Sequence, residues 1–77
     1  MNSPAEVAAN VARTTQRLVT DSGVSESALA DATGIPRPTL RRRLRTTSNW
    51  YVEDVAAIAT ALGTTYARIA LEAERVA

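Results

Sequence analysis

The run from Leu29 to Arg45, LADATGIPRPTLRRRLR, constrains this chain more than any other segment. It breaks at Gly34, where a residue free to take a left-handed backbone ends one helix. Pro36 and Pro38 follow, and proline is tolerated only in the first turn of the next helix, where missing amide hydrogens cost nothing. Two short helices must therefore meet at a tight turn, and the second is loaded with guanidinium groups. Charge is segregated to match. From Ala32 to Val52 there are five arginines and no carboxylate, so this third of the chain carries +5, while the rest, with four arginines and eight acids, carries −4. The overall +1 conceals a dipolar molecule.

Seventy-seven residues suffice for one small domain, residues 1–77, near the lower size at which a hydrophobic core alone holds a fold. Cysteine and histidine are both absent. Disulfides, thiolate or imidazole metal sites, cysteine nucleophiles and histidine general bases are thereby excluded. No cofactor, metal or small-molecule substrate is expected, and neither is an enzyme. The longest apolar run is far short of a membrane span, and Met1-Asn2-Ser3-Pro4-Ala5-Glu6 lacks the basic start and apolar stretch of a secretory signal, so a cytoplasmic location is expected.

The remaining punctuation predicts an all-α chain of five helices. Ser3-Pro4-Ala5-Glu6 fits a capping box that opens helix 1 over about residues 4–20. Val7, Val11, Thr14 and Leu18 then form an inward stripe, and Asp21-Ser22-Gly23 ends it. Ser25 caps helix 2, which runs to about Thr33 with Leu29 and Ala32 inward. Helix 3 covers about residues 37–45, so the paired helices occupy about 25–45. Thr46-Thr47-Ser48-Asn49 is a polar loop. Helix 4 buries Val52, Val55, Ile58, Ala59 and Leu62 and stops at Gly63. Thr64 or Thr65 caps helix 5, which turns Tyr66, Ile69, Ala70, Ala73 and Val76 inward and Leu71 outward.

On a helical wheel centred on Leu40, Leu44 lies about 40° away, whereas Pro38, Arg41, Arg42 and Arg45 fall about 100° to 200° away and form one outward face. Two helices joined in this way can rest the first on a phosphate backbone and lay the second in the major groove of DNA. Arginine suits that groove because its fork bonds guanine O6 and N7 together. The expected base-contacting residues are Pro36, Arg37, Pro38, Arg41 and Arg42. The expected phosphate contacts are Ser25, Thr39, Arg43, Arg45, Thr46, Thr47, Ser48 and Asn49, with Arg43 pointing to the flank. Glu53 with Asp54, and Glu72 with Glu74, read as solvated or helix-end charges and not as acid-base or metal pairs.

The chain resembles the lambda repressor and Cro family of helix-turn-helix domains. Leu29-Ala30 with Gly34-Ile35 matches the family's Leu-Ala-x-x-x-Gly-Val core, and Thr39-Leu40 matches its Thr-Ile/Val step. Ile58-Ala59-x-Ala61-Leu62-Gly63-Thr64-Thr65 resembles its helix-4 ending. The resemblance runs from helix 1 through Leu71. It implies a five-helix lambda-repressor-like fold and a phage-type transcriptional regulator that reads a double-stranded operator, represses by occluding a promoter and works on the nucleoid of a bacterial host. It also implies that Pro36, Arg37, Pro38, Arg41, Arg42 and Arg45 face DNA. The chain departs from the family at three places. Glu26 stands where a phosphate-binding glutamine is common, and a carboxylate would repel that phosphate. Arg43 replaces an apolar residue, which implies a small rotation of helix 3. Tyr51 replaces the usual helix-4 cap, so either Asn49 caps or Trp50 and Tyr51 pack over the loop. Subunit number stays open between a monomer and a homodimer through Ala67 and Leu71 of helix 5. The alternative function is a protein-interaction adaptor, an antitoxin or recombination-accessory subunit whose arginines meet an acidic partner.

Overall fold

The computed structural model describes residues 2–76, and side chains as far as Arg75. Five helices follow one another: α1 (Pro4–Ser22), α2 (Glu26–Thr33), α3 (Arg37–Arg43), α4 (Val52–Ala61) and α5 (Tyr66–Val76). Among the described residues there is no strand. None of these helices is long and apolar enough to cross a membrane.

Local chemistry accounts for most of the boundaries. The Ser3 hydroxyl accepts from the Glu6 amide at 3.2 Å, and the Glu6 carboxylate accepts from the Ser3 amide at 3.2 Å, which completes the expected box. That backbone bond, with the Ser3 hydroxyl contact next, holds the Glu6 carboxyl below its ordinary 4.5. Ser25 caps α2 by accepting from Ala28, and Thr65 caps α5 by accepting from Arg68. Gly34 ends α2 at φ 75°, a backbone that a Cβ would strain. Helix α3 stops two residues earlier than its sequence pattern suggests, because the chain turns at Leu44 and Arg45 and the Arg43 carbonyl is bonded from outside the helix.

Helix α1 packs against α5 and α4, α4 against α2 and α5, and α3 neighbours α2 alone at the backbone level. The interior holds two clusters. Val19, Leu29, Ile35, Leu40 and Ile58 form one, and Val55, Ala59 and Ile69 form the other. Trp50, half-buried, packs against both. Val11, Leu18, Leu44 and Leu62 are half-buried at the edges of these clusters.

Three inward assignments are corrected. Val7 is 47% exposed, because the first turns of α1 stand clear of the interior and edge an open groove of about 340 Å³ with Trp50, Val52 and Tyr66. Val52 is exposed on the same rim. Ala32 is exposed because α2 turns Leu29, Ala30 and Thr33 inward. The inward side of α1 is also wider than one stripe: Ala12, Thr15 and Val19 are buried beside Thr14. Thr15 can be fully buried because its hydroxyl donates to the Val11 carbonyl at 2.8 Å. In α5, Ile69 and Ala73 are buried and Leu71 is 58% exposed, while the Val76 side chain, expected inward, lies outside the described residues.

Leu40→Ala is expected to cost about 2–5 kcal/mol, enough to unfold most of so small a chain, whereas Val7→Ala should cost under about 1 kcal/mol. Urea unfolding of the two variants checks the contrast.

Candidate nucleic-acid interface

Helices α2 and α3 are joined by residues 34–36, and the joint is tightly made. The Thr33 hydroxyl donates to the Leu29 carbonyl at 2.7 Å and accepts from the Ile35 amide at 3.2 Å. Ile35 is buried beside Leu29 and Leu40. Leu40 is fully buried and sets the roll of α3 about its own axis. Pro38, Arg41 and Arg42 are consequently exposed on the outer side, with Pro36 and Arg37 exposed at the entry and Arg45 just past the exit. Thr39 is half-buried. All five expected base-contacting residues, Pro36, Arg37, Pro38, Arg41 and Arg42, are thus exposed.

Arg43 is corrected. It was expected among the phosphate contacts, yet only 8% of it is exposed. Its position lies about 60° from Leu40 on the wheel, on the side away from Leu44, so Arg43, Leu40 and Leu44 fall within about 100° of one another on the inward side. The guanidinium Nε donates to Asp54 Oδ2 at 3.3 Å, and its central carbon lies 5.0 Å from the centre of the Tyr51 ring. Asp54 belongs to the first turn of α4, where negative charge is favoured. A position at the edge of the interior is thus filled by a guanidinium paired with Asp54 and roofed by an aromatic ring.

Two further side chains organise the segment after α3. Gln16, on α1, donates from Nε2 to the Arg43 carbonyl at 3.2 Å and to the Thr46 carbonyl at 2.7 Å. The Trp50 indole donates to the same Thr46 carbonyl at 2.7 Å. Gln16 was not anticipated, since one polar residue on a long helix carries no signal of a contact some thirty residues away. Asn49 does not cap α4. It has a left-handed backbone, φ 61°, and Tyr51 precedes the helix without a side-chain cap bond. Neither expected arrangement is found as such: Trp50 packs inward against the apolar clusters, and Tyr51 lies outside over Arg43 of α3.

Of the other expected phosphate contacts, Ser25, Arg45, Ser48 and Asn49 are exposed, and Thr46 and Thr47 are half-buried. The Ser25 hydroxyl already accepts a capping bond but retains a proton to donate. Thr46 and Ser48 hydroxyls bond each other at 3.0 Å, which stiffens the loop. Arg41 makes an exposed ion pair with Glu26 at 3.2 Å, so Glu26 reaches the arginine face itself. Among the described residues no group of three or more acidic side chains is placed to hold a metal ion. No family model matches the chain, and no curated protein or solved structure matches it significantly.

The Arg43–Asp54 pair gives a prediction about stability. Asp54→Ala strands a largely buried guanidinium and should cost about 3 kcal/mol, most of it recovered when Arg43→Met is added. A double-mutant cycle by urea unfolding measures this, and additive losses would show that the two charges act independently.

Proposed function

We propose that this chain is a sequence-specific regulator of transcription that binds double-stranded DNA in the manner of the lambda repressor and Cro family, with α3 in the major groove. The observation that carries the reading is the outer surface of α3. Arg37, Arg41, Arg42 and Arg45 stand exposed around a helix that is locked from behind by Leu40. A helix in this setting is narrow enough for the groove, and guanidinium forks match the acceptor pair of guanine. The turn at Gly34 and the cap at Ser25 support the same reading, because they let α2 lie across the backbone while α3 enters.

Roles divide by position. Arg37, Arg41 and Arg42, with the flanking Pro36 and Pro38, meet base edges. Ser25, Thr39, Arg45, Thr46, Thr47, Ser48 and Asn49 meet phosphates on either side of the groove. Arg43 is left out of both sets because its charge is committed to Asp54. Repression follows from occupancy: a domain lying across a promoter excludes polymerase in the cytoplasm of a bacterial host. Leu71 and Ala67, exposed on α5, are the surface for pairing two copies. A pair would read a palindrome with half-sites about one helical turn apart, and a single copy an asymmetric site.

Arg42→Ala should weaken binding to a selected duplex by about 1–3 kcal/mol while changing affinity for random duplex less. Affinity should also fall steeply as salt rises, since arginines displace condensed counterions. Gel-shift titrations on both duplexes over a salt series check these outcomes. Equal losses on both duplexes would make Arg42 a phosphate contact, and a flat salt response would remove the groove reading.

A further inference from the structure

Four exposed arginines line the α3 surface and its exit, and one of them is held. Arg41 donates from Nε to Glu26 Oε1 at 3.2 Å, with side-chain exposures of 49% and 31%. Arg37, Arg42 and Arg45 take no carboxylate partner among the described residues. The acid comes from the other helix of the pair. Glu26 is the first residue of α2 and Arg41 the fifth of α3, so the bond crosses the outer side of the joint whose inner side is closed by Leu29, Ile35 and Leu40.

The atom used matters. A guanidinium has five N–H donors, one on Nε and four on the two terminal nitrogens. Glu26 takes the Nε donor, and among the described residues the terminal nitrogens of Arg41 make no hydrogen bond to protein. Those terminal nitrogens form the fork that bonds guanine O6 and N7 together. A carboxylate on Nε occupies that edge of the flat group and restricts its rotation, and it leaves the fork at the other end without a protein hydrogen bond among the described residues. A free arginine must give up its rotamer freedom at the moment of binding, whereas a tethered one has already lost part of it.

We propose that Glu26 is a positioning residue for base recognition, holding the Arg41 guanidinium by Nε so that its fork meets a guanine in one orientation. The inference rests on the DNA-binding reading given above and adds a specificity role to a residue whose charge by itself opposes a phosphate. Glu26 touches no base. It acts through Arg41, and its effect is confined to the base pair that Arg41 reads.

The test begins with duplexes enriched from a randomised library by the full chain. Competition titrations then compare every single-base-pair variant of the best duplex for wild type, Arg41→Ala, Glu26→Ala and the double variant. Arg41→Ala should flatten the preference at one G·C pair. Glu26→Ala should lower discrimination at that same pair about three- to tenfold and leave the other positions unchanged. The double variant should match Arg41→Ala alone. A general charge effect of removing the acid shifts all variants together and cancels from these ratios. Thermal unfolding of Glu26→Ala, expected within a few degrees of wild type, separates positioning from loss of fold. Undiminished discrimination at the Arg41 pair, or an equal loss at every pair, would overturn the inference while leaving DNA binding intact. A wild-type chain that enriches no duplex would bring down the DNA-binding reading, and this inference with it.

Discussion

A helix of seven residues is too short to persist in water by its own hydrogen bonds, so α3 exists only because neighbours hold it. Leu40 provides the central hold. It is fully buried between the turn residue Ile35 and the α4 residue Ile58, and its burial decides which sides of α3 face solvent. The far end is held differently. Gln16 takes the Arg43 carbonyl at the end of α3 and the Thr46 carbonyl of the loop that follows, and Trp50 adds a second bond to Thr46. Apolar burial thus sets the roll of the helix, and side-chain amide and indole donors set where it stops.

The five arginines between Ala32 and Val52 look alike in sequence, but the fold sorts them by depth. Arg43 is drawn inward and paired with Asp54 beneath Tyr51. Arg41 is tied at the surface by Glu26, and Arg37, Arg42 and Arg45 extend outward without a carboxylate partner among the described residues. A guanidinium can occupy the buried place because it is flat, carries donors on its edge and loses less hydration than an ammonium.

Helix ends were legible in the sequence because their causes are local. The Ser3 box, the Ser25 cap and the left-handed glycines at 23, 34 and 63 each depend on residues within one turn. The outward surface of α3 was legible too, since Leu40 alone fixes its orientation. What escaped depends on distant partners. Nothing near Arg43 announces Asp54, and nothing near Gln16 announces the Thr46 carbonyl. Val7 has the spacing of an interior residue, and only the layout of α4 and α5 reveals that it edges an open groove between these helices. Burial of Thr15 was hidden for a related reason: a threonine looks polar until its hydroxyl is satisfied by its own helix.

Trp50 is the single indole of the chain. It lies where the two apolar clusters touch, and its ring nitrogen grips the loop that follows α3. The indole emission of the molecule therefore arises at the seam between interior and loop. A ligand settling against that loop would be seen by an optical reporter that the chain already contains, without any attached dye.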